Sequence, residues 1–292
     1  MMWLITGGTG QLGTALRKEF ETQSINFISL SKSQLEISQD HSISAITSYS
    51  PDVIINCAAW TNVDGAEKNK HGAFLVNAVG ARNVAIAAKE LHAKLIHIST
   101  DYVFSGCSSA PWRTEDLREP KSIYGESKLA GENAILEIYP EKSYVLRTAW
   151  LYSPWRRNFA KTMLKLALSN KEVEVVSDQV GQPTSALDLA KQIVSISKAN
   201  LPPGVYHGTN SGEASWFEFA CEIFKLAKKD TKKVVAINTI DYSSPAERPM
   251  YSVLDNSKWF ETPISQMRYW LEALKDTFPL ILREVERESG NV

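Results

Sequence analysis

Tyr124 and Lys128 stand four positions apart in Ile123-Tyr124-Gly125-Glu126-Ser127-Lys128. On a helix of 3.6 residues per turn they share a face, one turn apart. An ammonium beside a phenol lowers the phenol's pKa and makes the tyrosine a usable general acid near neutral pH. The pair alone describes a half-buried ring beside a solvated lysine more readily than it describes a catalytic device, because both residues are common on amphipathic helices. A second constellation is Gly7-Gly8-Thr9-Gly10-Gln11-Leu12-Gly13. Gly7 permits a tight turn, Gly10 lets backbone approach a pyrophosphate, and Gly13 allows close helix–strand packing. A helix starting there offers its free N–H groups to phosphates. A third is Ser99-Thr100-Asp101, two hydroxyls and a carboxylate at the end of an apolar run.

These groups act together only if the surrounding elements bring them together. Residues 3–6 form a short β-rich run into the glycines, and 14–21 have helical character, so the glycines sit in a strand–turn–helix context. Residues 26–30 read as the second strand, followed by Leu30-Ser31-Lys32-Ser33 with no carboxylate before Glu36. A carboxylate there bonds an adenosine ribose and repels a 2′-phosphate, whereas hydroxyls and a lysine accept one, so Ser31 and Lys32 favour NADPH while leaving NADH possible. Residues 51–56 are continuously apolar, as in a parallel strand buried on both faces. The small Ala58 and Ala59, then Trp60 and Thr61, follow where such a strand passes under a dinucleotide. Residues 74–91 repeat at helical spacing with Asn77 inside the pattern, either at the surface or held there for a purpose, and it is taken as a cofactor residue. Residues 94–100 form the fourth strand, which puts Thr100 and Asp101 beyond a carboxyl end, where open parallel sheets gather catalytic side chains.

The tyrosine helix is expected to run to residue 138, before a fifth strand at 144–148 that leads to Trp150 and Tyr152. The expected fold is α/β: a doubly wound parallel Rossmann sheet over residues 1–152, binding NAD(P), with a smaller C-terminal α/β substrate-binding lobe over 153–292. Some later segments are expected to return to the first domain. In the second part, helices are expected at 158–168, 187–197, 216–228 and 264–278, with strands at 173–176, 205–208 and 233–237. Residues 283–292 read as a charged tail that need not be ordered.

Composition sets bounds. The 292 residues carry a net charge of −1, with 43% hydrophobic and 22% charged residues, which gives no basic footprint for nucleic acid and suits a soluble globular protein. No apolar run reaches membrane-spanning length, so no membrane partner is expected. Cys57, Cys107 and Cys221 are odd in number and widely spaced, which points to a cytoplasmic protein without disulfides. Five scattered histidines offer no metal-ligand spacing.

Taken in order, the glycine turn, the strand ending Ser99-Thr100 and the Tyr124/Lys128 helix resemble the extended short-chain dehydrogenase/reductases. Within them the chain is similar to the dTDP-4-dehydrorhamnose reductases over residues 2 to 275. The likeness lies in Gly10-Gln11-Leu12-Gly13, Ala58-Ala59 with Thr61, Val63-Asp64 with Ala66-Glu67, and Ser99-Thr100-Asp101-Tyr102-Val103-Phe104. It continues through residues 124–132, Arg147-Thr148-Ala149-Trp150, residues 158–163, residues 178–184 and Arg248-Pro249-Met250-Tyr251-Ser252. The resemblance implies reduction of the 4-keto group of dTDP-4-dehydro-β-L-rhamnose to dTDP-L-rhamnose, a precursor of surface polysaccharide. It implies Tyr124 as proton donor, Lys128 as its tuner and ribose ligand, and Thr100 as the group that orients the keto oxygen. Gly10, Gln11 and Leu12 would cover the pyrophosphate, Glu36 and Ile37 would flank the adenine, and Ala59, Trp60 and Thr61 would run along the cofactor. Asp101, Tyr102 and Trp150 would line the sugar pocket, and Arg248 would neutralise a diphosphate.

Three departures stand out. Ser31 replaces an acid found in many relatives, and Trp60 replaces a Tyr or His. Some members dimerise through magnesium held by glutamates where this chain reads Thr14-Ala15-Leu16 and Ala186-Leu187-Asp188, so no metal is expected. Monomer and homodimer both stay open. So do two other functions for the same fold, a non-catalytic regulatory or scaffold protein and a related nucleotide-sugar epimerase or reductase.

Overall fold

The computed structural model describes residues 1–290. Side-chain alternation builds its first layers. In β1 (Trp3–Thr6) and β3 (Val53–Asn56), Trp3, Ile5, Val53 and Ile55 join one buried cluster while Leu4 and Ile54 join the other. Such two-sided burial is the condition for a parallel sheet covered by helices on both faces. Between them lie α1 (Gln11–Thr22), β2 (Phe27–Leu30) and α2 (Ser42–Ser48). The chain continues through α3 (Val63–Lys68), α4 (Lys70–Phe74), a π-helical turn (Leu75–Gly80), α5 (Ala81–Glu90), β4 (Lys94–Thr100), α6 (Ile123–Ile138) and β5 (Ser143–Thr148). Next come β6 (Leu151–Tyr152), α7 (Phe159–Leu168), β7 (Val173–Val176), β8 (Val180–Gly181), β9 (Thr184–Ser185), α8 (Ala186–Lys198) and β10 (Gly204–His207). The last elements are β11 (Ala214–Ser215), α9 (Trp216–Leu226), β12 (Val234–Ile237) and α10 (Trp270–Glu288).

The main sheet has six parallel strands in the order β10-β5-β4-β3-β1-β2. Chain order reverses between β1 and β3, and the crevice for a ligand in such sheets opens there, outside the carboxyl ends of the strands. β10 joins β5 and α8 packs on α1, so segments beyond residue 153 complete the nucleotide-binding architecture. The remaining segments form small two-stranded sheets and a second core in which α7, α9 and α10 bury Leu164, Phe219, Phe224, Trp270 and Ile281. A capping box opens α9: Glu218 N bonds Ser215 Oγ at 3.1 Å while Glu218 Oε2 accepts from Ser215 N at 2.7 Å.

Two expectations are corrected. The last helix does not cover 264–278; it begins at Trp270 and runs to Glu288, so residues 283–288 are helical rather than a loose tail. Trp270, Leu274, Phe278, Ile281 and Val285 repeat at three- and four-residue spacing and are buried, which outweighs the interior Pro279 that looks like a stop signal. Lys161 and Lys165 also hold Glu288 at 2.6 and 2.8 Å. Residues 291 and 292 lie outside the described residues. The stretch 74–91 is not one regular helix, because a π-turn interrupts it around Asn77.

Beneath the cleft, α6 is fixed to the sheet by one carboxylate. Glu132 is fully buried, accepts from Ser99 Oγ at 2.5 Å, and takes Arg147 Nε and Nη2 at 3.0 and 2.8 Å. Without Arg147 this buried charge would keep only Arg118, whose Nη1 lies 3.6 Å away with no hydrogen bond to it. Arg147→Leu should therefore lower unfolding free energy by about 3–5 kcal/mol in urea melts; a loss below about 1 kcal/mol would show that Glu132 finds another partner.

Candidate active site

The carboxyl ends of β1, β3, β4 and β5 open onto a cleft of about 730 Å³. At one end the glycine turn supplies Gly7, Gly10, Gln11, Leu12 and Gly13. Gly7 has φ +65, and a Cβ on it would lie 2.7 Å from the Ala58 nitrogen, so the turn can pass under a ligand only with glycine there. The backbone N–H groups of the α1 start face the cleft without a side-chain cap from Gly10, the arrangement that suits phosphate. Lys32, Glu36 and Ile37 line the edge beyond β2, and Ala58, Ala59, Trp60 and Thr61 line the floor beyond β3. Thr100, Asp101, Tyr102, Tyr124, Lys128 and Trp150 line the other end.

Three expected residues lie outside this lining. Ser31 turns its hydroxyl to Ser33 and Gln34, at 2.9 and 2.8 Å. Asn77 is buried behind the floor: its Oδ1 accepts from Trp60 N at 2.8 Å, and its Nδ2 donates to Trp60 O at 3.1 Å and Ser127 Oγ at 2.9 Å. With its amide spent on those bonds, it ties the cofactor floor to α6 instead of touching a ligand. Arg248 pairs with Asp64 at 2.9 Å and lies over the Tyr242 ring, so its charge is already met.

The chemistry of the deep end follows from burial. Thr100 Oγ1 donates to Asp101 Oδ1 at 2.9 Å and accepts from Tyr102 N at 3.2 Å. Asp101 Oδ2 has no partner among the described residues, and burial pushes the carboxyl up to about 6. Burial likewise pushes the Tyr124 phenol up to about 12; Thr100 pulls it down and the Asp101 charge pushes it further up. Lys128 was expected to lower that phenol. Instead its Nζ donates to Ile98 O at 2.6 Å and lies 3.3 Å from His97 Nε2, and burial pushes the ammonium down to about 8. Tyr124 is thus protonated throughout the neutral range, as a donor must be, and Lys128 sits close to its own titration.

Sequence reasoning passed over the cleft's second wall. Trp216 stacks on Trp150 with ring centroids 3.6 Å apart and planes 8° apart, and Phe159 leans on Trp216. Trp150 has φ 45, a strained conformation for an aromatic residue, and a Cβ on Gly181 would lie 2.5 Å from its indole. The adjacent arginines Arg156 and Arg157 also line the cleft, Arg156 Nε bonding Thr9 O at 2.7 Å beside the glycine turn. Those paired cations were the available signal; the tryptophan stack joins distant segments and left none. A shallower groove of about 800 Å³ beside α8 and residues 263–268 shares none of this chemistry. Among the described residues, no cluster of three or more His, Cys, Asp or Glu could hold a metal, and no helix is long and apolar enough to cross a membrane.

A doubly wound sheet whose glycine turn, strand-end threonine and tyrosine–lysine helix face one cleft is the architecture of an extended short-chain dehydrogenase/reductase. The family model described as "RmlD substrate binding domain" matches residues 1–282, and the chain belongs to that family. A dTDP-4-dehydrorhamnose reductase of Streptomyces griseus is 39% identical over 96% of this chain and 93% of its own. Among solved structures, a dTDP-4-dehydrorhamnose reductase from Clostridium acetobutylicum superposes with TM-score 0.92 at 40% identity, covering 97% of this chain and 100% of that one. Another from Bacillus anthracis, in complex with NADP, gives 0.91 at 38%, covering 95% and 98%.

Gly181→Ala should push the Trp150 indole off Trp216. The expected result is loss of the near-ultraviolet circular dichroism of the stacked pair with the far-ultraviolet spectrum unchanged; an unaltered near-ultraviolet band would show that the wall tolerates the methyl.

Proposed function

We propose that the chain is a cytoplasmic NADPH-dependent reductase that converts dTDP-4-dehydro-β-L-rhamnose to dTDP-L-rhamnose. The observation that carries this reading is the convergence of Thr100, Tyr124 and Lys128 with the glycine turn on one cleft. The printed names of its relatives support the substrate, and the NADP complex of the Bacillus anthracis relative supports the cofactor. None of the three cysteines is paired, in keeping with a reducing compartment.

The residues present fit a dinucleotide: the Gly7 cradle admits no Cβ, the uncapped start of α1 presents N–H groups, and Arg156 stands beside the turn. Gly10, Gln11 and Leu12 would hold its pyrophosphate, with Ala58 through Thr61 beneath it. Lys32 would accept the 2′-phosphate by leaving its exposed pair with Glu36, and Ser31 would join it only by turning its hydroxyl from Ser33 and Gln34. NADPH supplies the hydride that reduces the keto carbon. Tyr124 gives its proton to the oxygen as negative charge develops there, and its raised pKa keeps that proton in place until then. Thr100, whose hydroxyl donates to Asp101 and accepts from the Tyr102 amide, would orient the keto oxygen by turning its proton from Asp101 to that oxygen. Lys128, when charged, stabilises the phenolate left behind. Asp101, Tyr102 and the Trp150 wall would enclose the sugar. Arg248 would reach a diphosphate only by leaving Asp64, so a substrate-dependent exchange of partners is part of this reading.

Tyr124→Phe should reduce kcat by about 10²–10⁴-fold while NADPH affinity, followed by fluorescence titration, changes by less than about threefold. Turnover retained in that variant would remove the proton-donor assignment. Ser31→Asp should raise the ratio of NADH to NADPH efficiency by about tenfold through repulsion of the 2′-phosphate; an unchanged ratio would show that this loop does not read it.

A further inference from the structure

A row of polar side chains crosses the sheet under the cleft where an apolar layer would be expected. Thr6 in β1 is the lateral partner of Asn56 in β3, and Asn56 is the lateral partner of His97 in β4. The three therefore share one face of the pleat, and Lys128 descends onto that row from α6. All four side chains are at most 2% exposed. Thr6 Oγ1 lies 2.6 Å from Asn56 Oδ1, Asn56 Nδ2 lies 3.0 Å from His97 Nδ1, and His97 Nε2 lies 3.3 Å from Lys128 Nζ.

Donor and acceptor roles along this row are coupled. With the Asn56 amide nitrogen facing the ring, His97 Nδ1 must accept, so a neutral ring carries its proton on Nε2. That N–H meets Lys128, and only an unprotonated amine can accept it; the amine still donates to Ile98 O at 2.6 Å. An ammonium requires the reverse. Nε2 then accepts, Nδ1 carries the proton, and Asn56 turns its oxygen to the ring. Thr6 closes the row either way, because a hydroxyl both donates and accepts. The ammonium arrangement leaves one Lys128 N–H for the cleft.

We propose that His97 is a positioning residue for Lys128, and that its tautomer, set together with the Asn56 amide, reverses with the lysine's protonation so that both forms stay hydrogen-bonded. A buried lysine with no such partner would be held in its neutral form. The row keeps the ammonium accessible at the working pH without placing a counter-charge beside the phenol. The other titratable groups around Lys128 supply only part of this. Cys57 beyond β3 is pushed up to about 12 and stays a thiol. Glu132, one turn on, favours the ammonium but shares its charge with Arg147, and Tyr124, one turn back, is pushed up to about 12. Burial holds His97 well below its ordinary value, so it stays neutral and changes tautomer rather than charge.

This deepens the reading of Lys128 as the partner of Tyr124, and its test does not depend on turnover. Nitrogen-15 NMR of the histidine-labelled protein between about pH 6.5 and 9.5, with H97Q identifying the signal, should show a neutral ring. Its proton should move from Nδ1 to Nε2 with a midpoint near the Lys128 value of about 8. One tautomer throughout overturns the proposal, even if the protein proves an active reductase; a switch in a protein inactive on the sugar nucleotide would instead refute only the functional reading. N56D presents oxygen to both neighbours and should lock Nδ1–H at every pH; a switch that persists in it also counts against the proposal. In turnover, H97L should lower kcat about tenfold and move the basic limb of its pH profile down, with little change in KM. H97Q, which can donate or accept toward Lys128, should restore both, whereas superimposable H97L and H97Q profiles would reduce His97 to packing.

Discussion

The placement of the site depends on one buried carboxylate. Tyr124, Lys128 and Glu132 follow one another at four-residue steps along α6, so one helical face carries the proton donor, its partner and the anchor. Glu132 joins that face to β4 through Ser99, the neighbour of Thr100, and to β5 through Arg147, three residues before Trp150. Dehydrating such a pair offsets most of its attraction, so its contribution is register more than stability. A helix shifted by a turn, or rotated by one residue, would leave Glu132, Arg147 and Ser99 unpaired in the core. From the other side, Asn77 uses the widened π-turn to hold Ser127 and the Trp60 backbone at once, fixing α6 to the cofactor floor.

Positions fixed this way let the cleft hold its proton donor neutral and bring its two charged groups close to their titration. Tyr124 and Cys57 are held neutral, Lys128 titrates near 8 and Asp101 near 6, each through burial. In such surroundings a nearby charge acts far more strongly than in water. A ligand bearing phosphates favours the lysine's ammonium, and a developing oxyanion favours proton transfer from the phenol. The Tyr124/Lys128 spacing alone suggests a phenol pre-acidified by its neighbour. The enclosed cleft reverses that: the donor keeps its proton until charge appears in front of it.

What was legible in the sequence is what short-range periodicity encodes. Residues 94–100 and the helix to 138 fall where the pattern places them, because buried parallel strands read as apolar runs and helices as 3.6-residue repeats. Nearly all the expected site residues line one cleft, since motifs at strand ends converge once the strands are parallel. The misses involve distant partners. Arg248 reads as either a diphosphate ligand or a surface ion pair, and its partner Asp64 stands 184 positions away. Trp216 reads as the start of an amphipathic helix until Trp150 stacks on it. The final helix runs on past Pro279 and into the charged segment because its apolar stripe is buried against α7, which lies far upstream.

Those distant contacts are also what joins the two halves of the cleft. Gln11, on the glycine turn, accepts from Ser153 Oγ and Asn158 Nδ2 at 2.9 and 3.0 Å, Arg156 reaches back to Thr9, and Arg248 crosses to Asp64. The Gln11 tie uses uncharged, half-buried groups for which a phosphate does not compete, whereas the Arg156–Thr9 tie is exposed and leaves its cation open to a phosphate at the turn. The third is an ion pair at the rim with Asp64 partly in solvent, the kind of contact that contributes little by itself. An incoming polyanion can therefore draw Arg248 away at small cost while the Gln11 tie holds. Gln11 thus joins the nucleotide-binding side to residues 153–158 without using a charge, and adaptation to the sugar nucleotide falls to the loop that carries Arg248.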